Sequence, residues 1–148
     1  MQICEQIEQI TDGTQLLAII ISQNFNKPGT HFFTPNDLSQ QLGYMHHPAG
    51  TIVEPHIHEQ VVREVRYTQE VLFIKQGKLR VDLYNNQQQY LQSRMLGAGD
   101  VILLATGGHG FEVIEEIEMI EVKQGPYVGD RDRTNFRGIS AAQANIKN

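Results

Sequence analysis

Two histidines set two residues apart, His56 and His58, are the first groups in this chain whose type and spacing can do chemistry. Alternate side chains of a strand project to one face, so on a strand both imidazoles would point together. Neutral imidazole is the commonest metal ligand, and two on one face make half a site. A carboxylate, Glu70, opens the apolar run Val71-Leu72-Phe73-Ile74. A third histidine, His109, lies in Gly107-Gly108-His109-Gly110. Three nitrogens and one oxygen suit one divalent transition metal, and iron, manganese, nickel, cobalt and zinc all accept that set. Such a shell leaves room for water or substrate, so a carbonyl can be polarised or a water activated.

Other groups near these four bear on a ligand. Arg63 and Arg66 stand between His58 and Glu70. Arginine presents a rigid fork that matches carboxylate or phosphate, so the pair is read as a clamp for an anionic small molecule. The plainer alternative is pairing with Glu64. A strand from about Glu64 to Ile74 would put Glu64, Arg66 and Glu70 on one face and aim Arg66 at the metal side. Tyr44 is a candidate substrate contact and Tyr67 a candidate proton donor, against the plainer reading of packing with a wet hydroxyl. His31, His46 and His47 are not expected to be ligands. Cys4 is given no role.

With those residues in view, a resemblance is apparent. Gly50, His56 and His58, followed by Glu70 and Gly77, resemble the first motif of the cupins. Gly99-Asp100-Val101-Ile102-Leu103-Leu104, followed by Gly107 and His109, resembles the second. The resemblance implies a small antiparallel β-barrel of jelly-roll type with one metal at His56, His58, Glu70 and His109. The insert between His58 and Glu70 is longer than the family's usual one, which leaves Glu64 as the alternative carboxylate. Glu70 is preferred for its spacing to Gly77 and the apolar run behind it. The resemblance also implies a homodimer. It points to small cupins tied to sugar-nucleotide or surface-polysaccharide metabolism. The expected function is therefore isomerisation or epimerisation of a small anionic sugar or carbonyl compound. An Fe(II)-dependent oxygenase and a non-enzymatic binding module are the alternatives.

The elements that must position these groups read as short strands. Leu16–Ile21 is a continuous apolar run, as expected of a buried strand. Short strands are expected at His31–Thr34 and Leu42–Met45, with one helical turn over 36–40 between them. Gln76-Gly77-Lys78 reads as a hairpin turn between Val71–Lys75 and Leu79–Tyr84. Strands at Gln88–Leu96, Val101–Leu104, Phe111–Ile114 and Ile117–Val122 follow. Many short strands with glycine turns and no long helix argue an all-β antiparallel barrel or jelly roll. The reading is one domain over 1–148, with a barrel core over about 14–123 and a C-terminal strap over 124–148.

Composition narrows the partners. The chain has 148 residues and a net charge of −5, so no basic footprint for nucleic acid or anionic membrane is expected. No apolar run is long enough for a helical membrane span. One cysteine and the absence of a basic, apolar start point to the cytoplasm.

Overall fold

The computed structural model describes residues 6–147. Cys4 lies outside them. Among the described residues the chain forms eight strands and two short 3-10 turns. The strands are β1 (Ile7–Asp12), β2 (Gln15–Ile21), β3 (Gly29–Phe32), β4 (Gly43–His46), β5 (Glu70–Tyr84), β6 (Tyr90–Gly97), β7 (Val101–Leu104) and β8 (Gly108–Lys123). Their pairings are antiparallel, so the chain is all-β as expected. The chain divides into two compact units, one of residues 1–25 with 67–148 and one of residues 26–66. Among the described residues no helix is long and apolar enough to cross a membrane.

In the larger unit the strand order is β1-β2-β7-β5-β6, with β8 also paired to β5. β5 organises the sheet. Its first residues, Glu70–Phe73, pair with β7; Lys78–Tyr84 pair with β6; β8 runs along both parts. The hairpin expected at Gln76–Lys78 is not formed. Gly77 instead lies within one continuous strand, at φ +94°. A Cβ there would stand 2.0 Å from the Glu116 carbonyl oxygen, so the backbones of β5 and β8 approach closely only because residue 77 is glycine. The pairing with β8 slips between Ile74 and Leu79, as at a β-bulge. Glycine marks turns and bulges alike, so the sequence pattern does not separate them. The two strands expected on either side of Glu115-Glu116 are likewise one strand, β8, irregular at the same corner.

The bulge changes which residues face the core. Leu72 and Ile74 are buried before it, and Leu79, Val81 and Leu83 after it. The parity switches from even to odd, the signature of an inserted residue in a ladder with a period of two. With Leu17, Ala18 and Ile20 of β2 and Ile102 and Leu104 of β7, these side chains make the core of a curled, half-barrel sheet. Every side chain from Leu17 to Ile21 is buried, as the apolar run predicted.

The other face of β5 is polar and is buried too. Arg80 and Asp82 are each only 4% exposed. Arg80 donates to both Asp82 carboxylate oxygens, at 2.9 and 3.1 Å, and its Nη1 lies 2.6 Å from Glu112 Oε2 on β8. The Ser93 hydroxyl donates to Asp82, its partner across the ladder, and Tyr90 OH lies 2.8 Å from Ser93 Oγ. The C-terminal strap joins this network. Asn145 N donates to Tyr90 OH at 2.7 Å, and Ile146 bridges Ser93. Upstream, Ile139 N donates to Tyr84 OH at 2.9 Å.

In the smaller unit β3 and β4 pair with His31 opposite Tyr44. β3 begins and ends two residues earlier than its expected span. The helical turn expected over 36–40 is a non-helical turn. The Gln41 amide closes it by donating to the Pro35 and Leu38 carbonyls at 2.8 and 2.9 Å, and those bonds replace a helix's own.

Candidate functional site

Glu70 opens β5 on the same face as Leu72 and Ile74. His109 enters near the start of β8, opposite Leu83, and so faces the core side as well. A straight strand would carry Glu70 about 43 Å from Leu83 at the usual rise. Yet His109 Nε2 is 3.2 Å from Glu70 Oε2. The corner at Gly77 folds β5 and β8 back on themselves and brings the two ends together.

The surroundings of this pair are charged. Lys123 and Glu121, near the end of β8, stand opposite Glu70 and Leu72 in the ladder. Lys123 Nζ is 3.9 Å from Glu70 Oε1 and 3.5 Å from Glu121 Oε1. The hydrogen bond from His109 holds the Glu70 carboxyl below the ordinary carboxylate range. Partial burial opposes that shift, while electrostatic attraction from His109 and Lys123 and the hydrogen-bonding contact with Glu121 add to it. The His109 ring also stacks on Phe111, two residues on along the same face, with centroids 5.3 Å apart.

The other histidine pair belongs to the smaller unit. Residues 51–66 have no regular secondary structure, so His56 and His58 do not stand on the expected strand. Pro55 lacks the N–H a ladder needs, which helps explain why. The two rings are still neighbours, with centroids 5.0 Å apart and edge to face. His56 Nδ1 lies 3.0 Å from the Glu54 carbonyl, which can only accept. That bond puts the proton on Nδ1 and leaves the Nε2 lone pair for a ligand.

The strand expected from Glu64 to Ile74 begins only at Glu70. The parity that aimed Arg66 toward Glu70 is therefore not present. Arg66 is exposed and sits 3.3 Å from Glu64 Oε1, the pairing given above as its plainer reading. Arg63 and Tyr67 are exposed, and Tyr44 is half-buried in β4. His47 Nε2 lies 3.1 Å from Thr30 Oγ1, and His31 Nε2 donates to the Pro28 carbonyl at 2.8 Å.

The donor types suit a divalent metal, as three imidazoles and a carboxylate. The structure places Glu70 with His109 and His56 with His58. Among the described residues no three His, Cys, Asp or Glu side chains are gathered closely enough to hold a metal ion. Lys123 was not singled out from the sequence, because its contact with Glu70 depends on the β5–β8 register rather than on any local spacing. Comparison with protein-family models, curated proteins and solved structures finds no match to this chain.

Proposed function

We propose that this chain is a metal-binding protein of the cupin type, a jelly-roll barrel in which His56, His58, Glu70 and His109 hold one divalent transition metal. Its proposed reaction is isomerisation or epimerisation of a small anionic sugar or carbonyl compound, as a homodimer. The observation that supports the reading is the meeting of Glu70 with His109 at 3.2 Å, across thirteen residues of β5, on the inner face of the sheet. Those are the two residues that the paired motifs single out in this unit.

A divalent metal bound there would supply a Lewis acid for a carbonyl oxygen. The rest falls to the chain's own groups. Glu54, through its carbonyl, orients the His56 ring. Glu70, kept ionised by its neighbours, is ready to act as a ligand at any pH above the acid range. Lys123, with Nζ 3.9 Å from Glu70, is the lysine cation beside the carboxylate and would hold an anionic group of the substrate. Arg63, Arg66 and Tyr44 are kept as further substrate contacts and Tyr67 as a proton donor, on the chemistry of their side chains.

The test is solvent exchange. Metal-loaded protein is incubated in deuterated water with a panel of sugar phosphates and nucleotide sugars. Isomerisation or epimerisation through a proton transfer puts deuterium on the carbon beside the carbonyl. No exchange with any member, together with uptake of O2 by the Fe(II)-loaded protein, would replace this reading with an oxygenase.

A further inference from the structure

The glycines around His109 have a physical cause that involves neither phosphate nor metal. Gly107 has φ +77°, and a Cβ on it would stand 2.4 Å from the Tyr84 carbonyl oxygen. At Gly108 a Cβ would stand 2.9 Å from Cζ of Phe136, so the Phe136 ring lies directly against the backbone of the residue before His109. Phe136 is held in turn. Its ring meets Tyr84 edge to face with centroids 5.0 Å apart, and Tyr84 OH accepts from Ile139 N at 2.9 Å. Further along, the strap is tied to β6. Ser93 N donates to Asn145 O at 2.9 Å, and Lys147 N donates to Ser93 O at 3.0 Å. A pocket of about 130 Å³ follows the same seam, with Tyr84, His109 and Gly110 on one side and Thr134–Phe136 and Gly138 on the other.

His109 therefore sits between two fixed surfaces. Its ring faces Glu70 on the inner side, while the strap bears on its backbone neighbours from the outer side. We propose that Phe136, on the C-terminal strap, is a positioning residue that holds the Gly108–Gly110 backbone so that His109 reaches Glu70. The strap is then a working part of the candidate site and not only a cover for the sheet. A Cβ-free Gly108 is what lets an aromatic ring press on the strand without displacing it. Loss of the ring removes the contact on one side only, and the first pair of the β8 ladder, Gly108 opposite Tyr84, is free to open.

For metal binding this inference rests on the proposed function, but the positioning itself can be read without a metal. Amide hydrogen exchange is measured on metal-free wild type and on Phe136→Ala, Phe136→Leu and Phe136→Tyr. Exchange at Gly108–Gly110 is expected to quicken at least tenfold in Phe136→Ala, with the far end of β8 and the β7 amides unchanged. Phe136→Leu gives the same comparison should the alanine variant not fold, and Phe136→Tyr, which keeps the ring, restores protection. Zn(II) titration of the same proteins should show affinity lowered about tenfold in Phe136→Ala, the low end for groups that orient a ligand, and restored in Phe136→Tyr. Unchanged exchange at Gly108–Gly110 in Phe136→Ala overturns the positioning role, whatever the metal does. Wild type that binds no Zn(II) counts against the metal reading alone, and the exchange result still decides this one.

Discussion

Glu70 and His109 touch, Oε2 to Nε2 at 3.2 Å, although the ladder pairs His109 with Leu83 and not with Glu70. The contact exists because β5 and β8 turn a corner together. Lys123 comes to the same place through the other end of β8. The candidate site in this unit is thus a product of one bulge.

The corner at Gly77 can be tested directly. Gly77→Ala forces a positive φ on a residue with a Cβ and drives that Cβ into the Glu116 carbonyl. Backbone strain and overpacking together should destabilise by about 2–5 kcal/mol. Gly97→Ala is the control, since nothing lies within 4 Å of its Cβ position. Urea denaturation of the two variants should separate them clearly. Equal midpoints would mean that the corner is not held by this glycine.

The buried ion pair carries its own expectation. Asp82→Ala leaves Arg80 charged and without its two-pronged partner, at about 3–5 kcal/mol. Glu112→Ala should cost about 1 kcal/mol or less, because Glu112 is half exposed and exposed pairs are weak. Replacing both buried partners, Arg80→Met with Asp82→Leu, should recover most of the loss seen in Asp82→Ala. Thermal melts of the three variants check the order. A double variant less stable than Asp82→Ala would contradict it.

Parts of this fold could be read from the chain and parts could not, for identifiable reasons. β2 and β7 are legible because continuous apolar runs leave no other place for Leu17–Ile21 and Val101–Leu104. Glu70 and His109 are two of the four residues that the motifs group as one set; the fold brings these two into contact, while His56 and His58 belong to the smaller unit. Arg80-x-Asp82 looks like the solvent face of a strand. It is buried because Glu112, Ser93 and the distant strap close over it, and strand periodicity carries no record of that. The strand supposed at Glu64 failed because residues 51–66 take no ladder at all. Lys123 and Phe136 became visible only with the long-range register known.

Substrate charge is tested by moving the cation. If Lys123 holds an anionic group, Lys123→Met should weaken anion binding by about 1.5–3 kcal/mol, the scale of a hydrogen bond to a charged group. Arg66→Ala should change it less, since Arg66 is exposed and already faces Glu64. Citrate, phosphate and sugar phosphates should raise the melting temperature of metal-loaded wild type through binding to the folded state. The same protection in Lys123→Met as in wild type would remove this residue from the ligand site.

Metal content decides whether His56, His58, Glu70 and His109 form one site. Wild type, His58→Ala, His109→Ala, Glu70→Gln and Glu64→Gln would be loaded with a divalent metal, dialysed and analysed for bound ion. About one metal is expected per wild-type chain, with a loss of affinity of tenfold or more in the two histidine variants and Glu70→Gln. Glu64→Gln should match wild type. Wild-type occupancy in His109→Ala and Glu70→Gln, or stripping by Glu64→Gln alone, would contradict it.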